Sequence, residues 1–459
     1  MNVRLTVAAS LSILLVTGAA SAAQPWLEDR RFGEGVGLRT GRFEFHPGIS
    51  TEFGYDSNFF QRSSHQAPDV IDPAVADAWR LRVTPSVSLQ TTSERQSERG
   101  VQSAGGSALP MVELNANAFL SYSELFGSSE VSKQRRFDGG VGGKLVIAPS
   151  RPFGADVYGN FIRNGEPSNS PDLNQAFDRG QIRGGAGVSW RPGGGLFDWR
   201  LGYEAAYSYF EDQPYRADQN IQQSILTNGR WRILPRSGFL YDARYTFIRY
   251  THADSPQPSG DDLQARLGFS GLVTNRLAFL IMGGWNSTFY TGQKTTAAQN
   301  YDGYVGQAEL KYFVQPAPEG TSAQTGLSSI AVGFLRDTTN SYLGSFYTRD
   351  RGYLSFDWFL GGVFVANVQG GLSNYEFPRS SPDNASFNQE HVDALAFMEY
   401  RFSDTFALNG TFMFDQAFGK GPKGQPGVLV GPNAAGTGNL YDDLEYQRIQ
   451  AYIGLRLFW

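Results

Sequence analysis

The stretch Arg448-Ile449-Gln450-Ala451-Tyr452-Ile453-Gly454-Leu455-Arg456-Leu457-Phe458-Trp459 alternates between two kinds of side chain. Ile449, Ala451, Ile453, Leu455, Leu457 and Trp459 share one parity; Arg448, Gln450, Tyr452, Gly454 and Arg456 share the other. Successive side chains of an extended strand point to opposite faces, so the run reads as a strand with one apolar and one polar face. It is longer than the roughly 5–6 residues of an ordinary globular strand. It matches the roughly 9–11 residues of a tilted membrane strand plus its ends.

The same pattern recurs upstream. Trp79, Leu81, Val83, Pro85, Val87 and Leu89 alternate with Arg80, Arg82, Thr84, Ser86, Ser88 and Gln90. Val112 to Ser123, Trp199 to Tyr209 and Leu277 to Trp285 behave likewise. Counting such runs gives eighteen strands, centred on 42–58, 78–91, 111–123, 137–148, 153–163, 181–191, 197–210, 221–234, 238–250, 262–274, 277–289, 302–315, 326–337, 350–360, 363–375, 391–401, 405–416 and 446–459. Sixteen remains open should one pair be misread. Tight turns fall near Pro149, Pro192, Pro235, Asn275, Pro316, Gly361 and Asp404. Longer polar segments such as Asn164–Gly180, Thr251–Asp261 and Phe377–Glu390 lie between them. Short and long connections that alternate are the pattern of periplasmic turns and external loops in an outer-membrane barrel. A propeller repeats at a similar period but needs four short strands per blade, where two long ones occur here.

The expectation is therefore an all-β chain: a transmembrane up-and-down antiparallel β-barrel, integral to the bacterial outer membrane and in contact with its lipid. Residues 1–22 read as a signal peptide, with Arg4, the apolar run Leu5 to Val16 and the small-residue pattern Ala20-Ser21-Ala22. Residues 23–41 read as a periplasmic N-terminal segment and 42–459 as the barrel. The polar segment Thr92–Leu109 is anomalously long for a turn, and Phe418–Glu445 reads as the largest external loop, able to fold inward. Aromatic residues collect at both strand ends: Trp190, Trp199, Trp231, Trp358 and Trp459 at the turn end, Tyr55, Trp79, Tyr122, Tyr209 and Phe289 at the loop end. Interfacial belts are where amphipathic rings prefer to sit. The aromatic final residue resembles the signal read by the barrel-assembly machinery.

Composition narrows the function. There are no cysteines, which removes disulfides, thiolate nucleophiles and cysteine-type metal sites. Lys+Arg is 39 against 44 Asp+Glu, so no basic stripe for nucleic acid is expected. Four scattered histidines and no hydrolase, zinc-protease or phosphate-loop motif leave no expected enzyme, metal or cofactor.

The first long run contains His46-Pro47 and then Tyr55-Asp56-Ser57-Asn58-Phe59. This resembles the first strand of the outer-membrane β-barrel porin family associated with bacterial exopolysaccharide export, with Ser57 where that family usually has Asp. The resemblance covers about 15 residues and implies a polysaccharide conduit working with a separate periplasmic export protein. Two other readings stand beside it: a general or anion-preferring porin for small solutes, and a structural or adhesive barrel with a plugged lumen.

For the lumen, Arg183, Arg191, Arg200, Arg230, Arg232, Arg244 and Arg266 fall on neighbouring strands and read as a pore-lining basic wall. Such a wall favours anions; alternatively these residues pair with Glu204, Asp198 and Asp242 and fill space. Tyr158, Tyr353 and Tyr452 read as inward aromatics, which either stack on sugar rings or plug the lumen. Asp56 and Asn58 either ligate a cation or sugar near the first external loop or make local turn bonds.

Overall fold

The computed structural model describes residues 37–63, 75–91, 111–149, 151–165, 179–192, 196–211, 213–234, 236–253, 255, 257–291, 300–315, 328–341, 346–360, 363–378, 386–419, 428–432, 439–442 and 445–459. The signal-peptide expectation, most of the 23–41 segment and the anomalous 92–109 stretch lie outside them.

Eighteen long strands form the wall: β1 (Phe43–Asp56), β2 (Ala78–Thr91), β3 (Val112–Gly127), β4 (Arg136–Ile147), β5 (Phe153–Asn164), β6 (Arg179–Trp190), β7 (Phe197–Phe210), β8 (Asn220–Leu234), β9 (Ser237–Tyr250), β10 (Ser259–Thr274), β11 (Leu277–Thr291), β12 (Tyr301–Gln315), β13 (Ser328–Asn340), β14 (Phe346–Leu360), β15 (Phe364–Phe377), β16 (Phe387–Ser403), β17 (Phe406–Phe418) and β18 (Tyr446–Phe458). Each pairs antiparallel with the next. β18 then pairs with β1, from Gly48↔Phe458 to Asp56↔Gln450, and closes the cylinder. A short strand, Leu38–Thr40, folds back on β1 from Leu38↔Phe45 to Thr40↔Phe43 and continues the sheet past the end of β18. Between β17 and β18, Val428–Pro432 and Asn439–Asp442 form a small separate hairpin. The rest of that loop, including any inward fold, lies outside the described residues.

Turn ends match the alternation closely, whereas several strands run further at the loop end than the sequence pattern predicts. β10 begins at Ser259, β14 at Phe346 and β16 at Phe387. The reason is visible in their outward residues: Asp261 on β10, Thr348 and Asp350 on β14, Asn388 and Glu390 on β16. Backbone pairing carries on there while the outer face has already turned polar, so the hydrophobic alternation stops before the strand does.

The two faces are inverted relative to a soluble protein. On β18, Arg448, Gln450, Tyr452, Arg456 and Phe458 are buried while Ile449, Ile453, Leu455 and Leu457 are exposed. Leu267 on β10 is 71% exposed and Leu372 on β15 65%. A contiguous apolar exterior of this kind has no stable place in water. It suits lipid, in which every backbone polar group must be paired internally and only a helix or a closed sheet qualifies. The polar face is concave, since side chains two strands apart meet there, as Arg200 does with Asp156. The named belt aromatics all take the outward parity, with Phe53 stacked on Trp79 and Tyr55 tilted against it at one rim, and Phe153 stacked on Trp190 at the other.

Candidate functional site: the lumen wall

The inward side chains divide into two sectors. From β13 through β18 to β2 they are packed and charge-paired. Arg448 forks onto Asp56, with Nε 3.0 Å and Nη2 2.5 Å from its carboxylate oxygens, and Gln450 Nε2 donates to the same group at 3.0 Å. Arg82 donates to Glu52 at 2.6 Å, Arg351 to Asp393 at 2.7 Å and Arg349 to Asp337 at 2.6 Å. Glu399 receives both Arg401 and Arg456. His391 Nε2 lies 2.8 Å from Asp415 Oδ1, and the Tyr446 hydroxyl donates to Asp415 Oδ2 at 2.8 Å. Arg448 and Asp56 are each only 2% exposed. Long side chains here lie along the wall, and these charges are neutralised by the partners beside them.

The other sector, β3 to β12, is wet. Inward Asn117, Lys144, Asn228 and Arg244 are exposed, which on a concave face requires water in the lumen. On β6 to β9 the inward charges are Arg179, Arg183, Arg200, Arg230, Arg232 and Arg244 against Asp198, Glu204 and Asp242. Pairing is loose: Arg183 Nη1 is 4.0 Å from Glu204 and Arg230 Nη2 is 3.5 Å from Asp198. Arg183 remains 40% exposed. This is the geometry of a water-facing wall that carries an excess of fixed positive charge.

The seven arginines of the expected wall do not all serve it. Arg183, Arg230, Arg232 and Arg244 face the lumen. Arg200 is forked onto Asp156 at 2.8 and 2.7 Å, and the Arg266 Nε–H donates to both oxygens of Asp242 at 3.0 and 3.1 Å. Their charge is neutralised in place, so they brace the wall. Arg191 sits beyond the end of β6, where its guanidinium donates to the Pro149 carbonyl, and belongs to the turn. The three carboxylates expected to pair do so, and Asp156 is a partner that residue type alone does not single out.

The inward tyrosines share a build. Tyr158 on β5 lies directly across from Gly185 on β6, which lies directly across from Glu204 on β7. The Tyr158 ring spans the glycine and its hydroxyl donates to Glu204 Oε2 at 2.5 Å. Tyr353 on β14, Gly333 on β13 and Glu309 on β12 form the matching row, with a 2.6 Å bond from hydroxyl to carboxylate. Tyr452 also faces a glycine, Gly54, but the Arg80 guanidinium lies 4.5 Å over its ring and only 6% of it is exposed. Neither glycine row is legible from residue types. It needs the cross-strand register, although an inward Tyr, Gly and Glu on three consecutive strands was a signal to look for.

The residues of the β1 motif lie at the seam where the cylinder closes. His46 Nδ1 is 3.2 Å from the Trp459 carbonyl, and the Pro47 carbonyl accepts from Trp459 N–H at 3.0 Å. Tyr55 faces outward against Trp79. Asp56 and Asn58 are not available as ligands for a cation or sugar. Asp56 is held by Arg448 and Gln450, while Asn58 bonds Arg62 in both directions and the Gln447 carbonyl. Phe59 is fully buried with Ala76, Ala78, Leu125 and Val131.

No protein-family model and no curated protein matches the chain. Among solved structures, Pseudomonas aeruginosa OpdK with vanillate is 10% identical over 90% of this chain and 98% of its own, with a TM-score of 0.44. Pseudomonas aeruginosa OpdQ is 9% identical over 91% and 98%, at 0.45. Acinetobacter baumannii OccAB2 is 9% identical over 90% and 98%, at 0.44. A closed eighteen-strand cylinder with this apolar exterior is an integral protein of the bacterial outer membrane, as its own geometry requires.

Proposed function

We propose that the protein is a passive, water-filled channel for small hydrophilic solutes, with a preference for anions and no enzymatic role. The observation that carries this is the wet sector: Arg183, Arg230 and Arg232 half-exposed and Arg244 exposed on neighbouring strands, with fewer carboxylates among them. Fixed cationic side chains along a low-dielectric wall lower the energy of an anion in transit and raise its local concentration. Exposed inward residues on β3, β4, β8 and β9 speak against a lumen filled throughout. Export of exopolysaccharide with a periplasmic partner has the β1 motif as its support, and His46, Pro47, Asp56 and Asn58 have a structural use at the seam without any partner.

The test is solute entry into proteoliposomes carrying the purified protein. Gluconate is expected to enter faster than N-methylglucamine, a cation of similar size. Equal entry, or faster entry of the cation, overturns the preference; exclusion of both overturns the channel.

A further inference from the structure

We infer that the lumen carries two separate binding plates for pyranose sugars, one on Tyr158 with Glu204 and one on Tyr353 with Glu309. The inference rests on the open-lumen reading and adds a ligand class that an anion preference does not supply.

Each ring is held flat against the wall. An ideal Cβ at Gly185 would lie 2.6 Å from Tyr158 Cζ and Oη, and one at Gly333 would collide with the Tyr353 ring. The glycines make room for the rings to lie down, and the hydroxyl-to-carboxylate bond ties down the far edge. One ring face is thus spent on the glycine backbone. Both tyrosines remain partly exposed, so the other face is turned to the lumen. Tyr452 shows the alternative, with its outer face covered by Arg80.

The edge chemistry selects the ligand. The flat C–H face of a pyranose suits an aromatic face, and the hydroxyls at its rim need acceptors and donors in the plane of the plate. Glu204 supplies an acceptor: Oε2 takes the Tyr158 hydroxyl, while Oε1 lies 4.0 Å from Arg183 Nη1, too far for a hydrogen bond. The exposed Arg183 guanidinium supplies donors beside it. An aromatic carboxylate would stack equally well but would bring its own charge towards Glu204 or Glu309. A neutral, hydroxyl-rich ring meets no such repulsion. β5 and β14 lie half the eighteen-strand ring apart, so the plates serve opposite walls and act one by one.

The experiment records single-channel current in a planar bilayer with maltohexaose as the probe. The wild-type protein is expected to show reversible sugar-dependent interruptions. The pair Tyr158→Leu/Tyr353→Leu removes one aromatic face from each plate, and should lower the sugar association constant of each by up to about tenfold. The pair Tyr158→Phe/Tyr353→Phe keeps the rings and should retain most of the block, and Tyr452→Leu should leave it unchanged. Because leucine variants risk misfolding, Gly333→Ala gives a second handle: the atoms nearest an added Cβ there all belong to Tyr353, so it should push that ring into the lumen and lower the open-channel conductance. Steady current with no sugar block, or a block undiminished by the double leucine change, overturns the plates and leaves the channel standing. A barrel that passes no current overturns the channel and the plates together.

Discussion

The sector around the seam and the sector opposite it are built from the same residue types and use them in opposite ways. At the seam Arg448 and Asp56 are in contact at 2.5 Å and sealed from water. Across the lumen Arg230 and Asp198 stand 3.5 Å apart, at 23% and 31% exposure. The first arrangement removes two charges from solvent, which is tolerable only because each is the other's partner. The second leaves both hydrated, contributes little to stability, and keeps a field in the channel. Sequence parity places both pairs on the inner face; burial decides whether a pair holds the wall together or acts on what passes through.

The largest contrast should appear when one partner is removed. Arg448→Ala leaves Asp56 buried without its counter-charge and should cost about 3–5 kcal/mol in unfolding from detergent micelles. Asp198→Ala should cost less than about 1 kcal/mol, while moving reversal potentials further towards anion selectivity. Equal costs would erase the distinction between the sectors. Next in size is a probe of the outer face: Ile453→Arg on β18, at the lipid-facing midspan, should cost about 2–4 kcal/mol. A neutral result would mean that this face does not meet hydrocarbon.

Much of this was legible in the sequence, and the limits have physical causes. The period-two pattern located the strands because lipid enforces an apolar outer face on every one, and it failed at Ser259, Phe346 and Phe387, where that face becomes polar above the membrane. It identified the inward arginines, because parity survives any register. It did not separate Arg200 and Arg266, locked by carboxylates, from Arg183 and Arg244, because pairing between strands depends on stagger. For Asp56 and Asn58 the sequence offered ligands or local turn bonds; the turn bonds form, from Asn58 N–H to Asp56 at 3.1 Å and from Arg62 N–H to Asn58 at 2.9 Å, and closure of β18 on β1 adds partners nearly four hundred residues away that no local reading could supply.

The smallest expected effect lies outside the wall. Asp218 ends a short 3-10 helix, Gln213–Asp218, between β7 and β8, and accepts from the Ser255 hydroxyl at 3.3 Å. Burial pushes its carboxyl up to about 6, against the hydrogen bond from Ser255. The fold therefore favours the protonated form. Its stabilising contribution is complete below the ordinary carboxylate range, near 4, and is lost as pH rises through about 6. The neighbouring Thr251 N–H, bonded to the Gln219 carbonyl at 2.9 Å, is the local reporter. Its hydrogen-exchange protection factor should fall modestly across that interval, and Asp218→Asn should abolish the dependence.

The reversal potential of the protein in a planar bilayer under a potassium chloride gradient bears most directly on the water-facing arginine sector. The wild-type barrel should prefer chloride, and Arg183→Glu/Arg230→Glu/Arg232→Glu/Arg244→Glu should shift the reversal potential to potassium preference while the barrel stays folded. A wild type selective for potassium, or a quadruple variant with an unmoved reversal potential, would contradict it.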